Sequence, residues 1–124
     1  MSATGEESEL GPAGERVACR YLRDKGYKIL ARGFRCPYGE IDVVALDRDT
    51  IVFVEVKTRS DERAADLEEA VRPAKIRRLT RAAKVYLQRK RVPDHPARFD
   101  FVGVILPRQG RPVVRHAIDA FQPG

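Results

Sequence analysis

Two short runs constrain this chain more than any other stretch: Gly39-Glu40-Ile41-Asp42-Val43-Val44-Ala45-Leu46 and Ile51-Val52-Phe53-Val54-Glu55-Val56-Lys57-Thr58. Both are rich in Val, Ile and Phe, residues that pack well on a pleated surface and lose side-chain freedom in a helix. The turn-like Asp47-Arg48-Asp49-Thr50 lies between them, so the stretch reads as a β-hairpin with strands at 40–46 and 51–58. Side chains alternate faces along a strand, so Glu40 shares a face with Asp42, and Glu55 with Lys57. Tight closure at Arg48-Asp49 sets Asp42 opposite Glu55 and Glu40 opposite Lys57, all four on one side of the sheet. Arg48-Asp49 is not a favoured two-residue turn, and a slip of one residue would undo the alignment. The charged face also carries Val44 and Phe53, while Ile41, Val43, Val54 and Val56 fill the other. A half-apolar face with four ionisable groups fits a site better than a solvated surface.

Carboxylates directly opposed on neighbouring strands repel each other. A divalent cation is the usual reason to place them so. Mg²⁺ (or Mn²⁺) is held by one or two carboxylates with waters and substrate phosphate oxygens. Asp42 and Glu55 supply the carboxylates, and the Val56 carbonyl could add a neutral oxygen. Lys57, two residues past Glu55, falls beside them, placed to hold a water or to offset charge building on a phosphate. These parts describe metal-assisted hydrolysis of a phosphodiester.

The rest of the chain supplies layers for that hairpin. Residues 11–26 read as a helix, with Ala13, Val17 and Tyr21 on one stripe, Pro12 in the first turn and Gly26 at the stop. Gly14 within it is a mild cost. A short strand (27–32) and an irregular link through Gly33, Cys36, Pro37 and Gly39 lead into the hairpin. Residues 60–66 read as a polar loop, and 73–89 as an amphipathic helix with Ile76, Leu79, Ala83, Tyr86 and Leu87 inward. A proline-containing linker (92–97) and strands at 99–106 and 113–118 complete the order. Helix, three strands, helix, two strands predicts helices layered on one mixed sheet. With 124 residues in all, the expected division is a single domain over 11–121 between tails at 1–10 and 122–124.

No run reaches the roughly 20 apolar residues of a membrane span. The acidic N-terminus (Glu6, Glu7, Glu9) lacks the basic and apolar regions of a signal peptide, and Cys19 and Cys36 are too few for a disulfide scaffold. A cytoplasmic protein with reduced thiols is expected. His95 and His116 have neither a helical partner nor a nearby cysteine, which argues against zinc. The net charge is +6, but it is not spread evenly. Residues 72–91 hold nine basic side chains and no acid, which leaves 15 basic against 18 acidic residues elsewhere. One basic stripe on a faintly acidic body is the footprint of polyanion binding. An aromatic content of 7% without Trp argues against an extended base-stacking surface.

Gly39-Glu40-Ile41-Asp42 followed by Val52-Phe53-Val54-Glu55-Val56-Lys57-Thr58-Arg59 resembles the YraN-like family of small bacterial proteins. Gly14-Glu15, Tyr21-Leu22 and Gly26-Tyr27-Lys28 resemble its first helix and strand; Glu69-Ala70-Val71, Lys75, Arg78-Leu79, Tyr86-Leu87 and Arg98-Phe99-Asp100 resemble its later elements. The resemblance implies an α/β, restriction-endonuclease-like core, with a mixed central β-sheet flanked by helices, similar to archaeal Holliday junction resolvases. In such a core Asp42 and Glu55 bind the metal, Lys57 assists, and Glu15 on the first helix joins the metal site. Glu40 belongs to the same pattern with its role open. The expected function is a Mg²⁺-dependent endodeoxyribonuclease acting on branched or structured DNA. Lys75, Arg77, Arg78, Arg81 and Arg59 would contact phosphates, and resolvase-like enzymes imply a homodimer. The alternative is a non-catalytic nucleic-acid-binding protein, or a structural partner in a DNA-processing complex, that retains the fold.

Overall fold

The Val- and Ile-rich hairpin forms the middle of the structure, a computed structural model that describes residues 2–60 and 71–123. In chain order the elements are α1 (Ser2–Asp24), β1 (Lys28–Cys36), β2 (Gly39–Asp47), β3 (Thr50–Arg59), α2 (Pro73–Arg89), β4 (Ala97–Ile105) and β5 (Val113–Phe121). The strands make one sheet in the order β1-β2-β3-β4-β5. All neighbours are antiparallel except β3 and β4, which are parallel. A parallel pair needs a long crossover, and α2 lies within it.

The helices take opposite faces. Ala18, Cys19 and Leu22 of α1 pack with Val43, Ala45, Val52, Val54, Val102 and Val104. Leu79, Ala82, Ala83, Tyr86 and Leu87 of α2 pack with Val44, Ile51, Phe53, Phe99 and Phe121. The central strands are apolar on both faces because both faces are covered. Val44 and Phe53, expected on the charged face, lie under α2, and so does Ile41, expected on the opposite face with Val43, Val54 and Val56.

Several boundaries differ from expectation. Residues 2–10, expected to be a tail, continue α1, so Pro12 lies inside the helix and not in its first turn. Ala3, Glu6, Glu7, Glu9 and Leu10 are strong helix formers, a preference that polarity alone does not reveal. β1 runs on to Cys36, so the expected irregular link is strand: Phe34 pairs with Ile41 and Arg35 with Glu40. Only Pro37 and Tyr38 remain to turn the chain, between paired Cys36 and Gly39. β5 extends to Phe121, which stacks on Phe99 at 5.0 Å between ring centroids. Residues 61–66 of the expected loop, and Glu69 and Ala70, lie outside the described residues.

At the turn end of the hairpin, a buried polar cluster ties β2, β4, β5 and Tyr27 together. Asp100 is fully buried and accepts from Arg98 Nε at 2.9 Å and the Asp119 N–H at 2.9 Å, with His116 Nε2 at 2.7 Å. Arg98 also reaches Asp47 at 3.1 Å and the Tyr27 hydroxyl at 2.8 Å. Burial alone would raise the Asp100 carboxyl, but these hydrogen bonds hold it below its ordinary value. Among the described residues no buried side-chain nitrogen or oxygen lacks a partner. His116 is therefore part of a packed clamp.

Candidate metal and phosphate site

β2 and β3 pair from Asp47↔Thr50 to Val43↔Val54, the register of a two-residue closure. Arg48 adopts φ 59° to close it, an uncommon conformation for a non-glycine residue. The ladder then stops. The next residues across the gap are Asp42 and Glu55, and a side chain fills it: Asp42 Oδ2 accepts from the Val56 N–H at 2.8 Å. The Glu55 carboxyl lies within hydrogen-bonding reach of the Asp42 carboxyl. Burial, then that contact and the Glu55 charge, push the Asp42 carboxyl up to about 9, against the pull of the Val56 N–H. Glu55 is only 6% exposed, and the Lys75 ammonium, from the first turns of α2, pairs with its Oε2. Two touching carboxyl groups require a proton or a cation between them.

The strand ends open into two adjoining clefts. The larger, about 660 Å³, is lined by Pro12, Glu15, Glu40, Asp42, Lys57, Thr58 and Arg59. The smaller, about 230 Å³, is lined by Gly39, Glu40, Asp42, Glu55, Lys75 and Arg78. Glu40 and Asp42 belong to both and stand between them. Glu15 reaches the larger cleft because α1 lies directly on β3 at Gly14. A Cβ there would fall 1.8 Å from Thr58 Oγ1, so only glycine permits the approach. The glycine that looked like a cost in the helix is what seats the helix. Partial burial raises the Glu15 carboxyl, Arg32 opposes this and Glu40 adds to it.

The structure thus gathers Glu15, Glu40, Asp42, Glu55 and Lys57 around two clefts that share Glu40 and Asp42, but not in the expected pairs. Glu40 does not face Lys57. It is laddered to Arg35 of β1, whose Nε lies 3.3 Å from Glu40 Oε2, because β2 has already parted from β3 at that level. Lys57 sits opposite Gly103 of β4 and lines the larger cleft. Lys75, expected to contact phosphate, pairs with Glu55. Sequence periodicity had no means of showing this, since it does not tell how far an ammonium on a long stem reaches. Arg78 lines the smaller cleft, Arg77 and Arg81 are exposed on α2, and Arg59 donates to the Thr58 carbonyl at 3.0 Å. Among the described residues no group of three or more His, Cys, Asp or Glu side chains is already arranged around a metal-sized point. No described helix is long and apolar enough to cross a membrane.

Residues 14–104, from the seating glycine through β4, match the uncharacterised protein family UPF0102. The chain belongs to that family. UPF0102 proteins that it resembles include one from Geotalea uraniireducens (strain Rf4), 42% identical over 94% of this chain and 92% of the relative. Another, from Syntrophomonas wolfei subsp. wolfei, is 47% identical over 91% and 97% of the two chains. A third, from Streptomyces griseus subsp. griseus, is 45% identical over 94% and 97%. The UPF0102 match spans every residue gathered at the clefts except those of α1 before Gly14.

Proposed function

We propose that this UPF0102 protein is a metal-dependent endodeoxyribonuclease with a restriction-endonuclease-like core, hydrolysing phosphodiesters of branched or double-stranded DNA. The observation that carries the reading is the pair of touching carboxyl groups, Asp42 and Glu55, at the point where β2 and β3 separate. A buried carboxyl pair that must share a proton gains by exchanging it for a divalent cation, and two carboxylates are a complement that Mg²⁺ accepts. When bound, such an ion would acidify a water and offset phosphate charge. Asp42 and Glu55 would hold it, and Glu15 would add negative charge from α1. Lys57, in the larger cleft beside Asp42, is placed to orient a water or to offset charge on the phosphate. Arg78 at the smaller cleft, with Arg77 and Arg81 along α2 and Arg59 at the end of β3, would hold the backbone on either side. Such contacts position a substrate without reading its sequence.

The Lys75–Glu55 ion pair favours a second reading, in which Lys75 neutralises the site and the protein binds nucleic acid without cutting it. One experiment separates the two. Purified protein is incubated with branched, flapped and linear DNA in Mg²⁺, Mn²⁺ or chelator, beside Glu55→Ala and Lys57→Ala. Cleavage that needs the metal and is lost in both variants supports the enzyme. Salt-sensitive binding without cleavage, unaffected by Glu55→Ala, supports the second reading.

A further inference from the structure

One exposed ring stands apart from the core aromatics. Tyr38 is 47% exposed at the tip of the β1–β2 turn, while Tyr86 of α2 and Phe53 of β3 are buried between the helix and the sheet. The turn has two residues, and Pro37 fixes the backbone before the ring. The next residue, Gly39, already lines the smaller cleft. Tyr38 is held on its other side by α2: the Arg81 guanidinium lies 5.7 Å from the ring centroid. Together with Lys84, Val85 and Gln88 these two form a shallow groove of about 460 Å³. The ring is thus flanked by cations and one residue from Gly39 of the cleft that holds the carboxyl pair. From Lys75 to Arg81 the helix rises about 9 Å, roughly two to three base-pair steps at 3.4 Å each.

We infer that the Tyr38–Arg81 groove is a subsite for one unpaired nucleotide of the DNA strand whose phosphate lies at the Asp42–Glu55 site. The inference rests on the nuclease reading above and specifies its substrate: DNA with an unpaired base about two to three nucleotides from the phosphate to be cut. An aromatic face accepts any base, because every base presents a π-surface. Inside an intact duplex that surface is covered by neighbouring pairs, so a lone ring at the protein surface selects for frayed, flapped or branched positions. Arg81 stacks on the ring and can take the phosphate of the same nucleotide, which a guanidinium does well. With only one such ring, the groove reads a single base and is not a strand-long platform.

The test measures binding in chelator, so that nothing is cut, to a labelled flapped DNA, a fully paired duplex and heparin, for wild type, Tyr38→Phe and Tyr38→Leu. Tyr38→Leu is expected to weaken flap binding about 5-fold or more, and to leave duplex and heparin binding within about twofold. Tyr38→Phe should match wild type. A 2-aminopurine at the first unpaired position should be quenched by wild type and Tyr38→Phe, and not by Tyr38→Leu. Equal weakening on flap, duplex and heparin, or no weakening on any, overturns the subsite while leaving DNA binding intact. Absence of DNA binding by wild type overturns the nuclease reading itself, and the subsite with it.

Discussion

Replacing Gly14 with alanine tests how the site is seated. The added Cβ would lie 1.8 Å from Thr58 Oγ1, 2.6 Å from Cγ2 and 2.7 Å from Cβ. Carbon contacts are comfortable only from about 3.5 Å. Rotating Thr58 does not help, since all three of its side-chain atoms are too close and a β-branched side chain has few rotamers. The helix must therefore lift from β3, loosening Ala18 and Leu22, which are fully buried against the same sheet face. Overpacking of this kind costs about 1–3 kcal/mol, while alanine in place of glycine returns about 1 kcal/mol of helix propensity. A net loss of up to about 2 kcal/mol is expected, read as a lower urea midpoint at unchanged slope. In a Thr58→Ala background, where two of the three clashing atoms are gone, the damage should shrink by about 1 kcal/mol. If Gly14→Ala instead stabilises the protein by about 1 kcal/mol, as at an open helix position, or if the two substitutions are additive, then α1 does not rest on Thr58 as described.

Three further outcomes follow from the charges. In chelator, the folded protein keeps a proton on Asp42 up to pH of about 9, while the unfolded chain releases it near the ordinary carboxylate value. Stability should thus decline as pH rises through that window, by at most about 1.4 kcal/mol per pH unit; urea titrations of Asp42→Asn, which can still accept from Val56, should lose that slope. Lys75→Ala removes the partner of a buried carboxylate and should destabilise the metal-free protein by about 1–3 kcal/mol, between the values for exposed and buried pairs. Saturating Mn²⁺ should recover part of this in a thermal melt if the carboxyl pair takes the ion. Asp100 is the opposite case to Asp42: its carboxyl is lowered, so its contribution is present above the unfolded carboxylate value and is lost as acid protonates the folded form. Asp100→Asn should cost about 3 kcal/mol at pH 7 and leave a shallower acid limb in pH-dependent unfolding.

The amino-acid sequence by itself determined the hairpin and its two carboxylates; the register was settled only by the strand pairing. Dense runs of Val, Ile and Phe leave little choice of element, and if the turn closes on two residues Asp42 falls level with Glu55. It also determined α2 and its basic outer face, because apolar spacing and the placement of charge are local properties. What it left open depends on distances between segments far apart in the chain. That Asp42 enters the gap and bonds Val56, that Glu40 turns to Arg35, and that Lys75 pairs with Glu55 all follow from where β2 leaves β3 and how α2 lies over them. Gly14 was legible only as a weak helix residue until Thr58 was found beneath it. His116 and Asp100 lie 16 residues apart, and only the pairing of β4 with β5 brings them together. Local preference selects the elements, but a buried charge is decided by whichever partner the packed structure brings within about 3 Å.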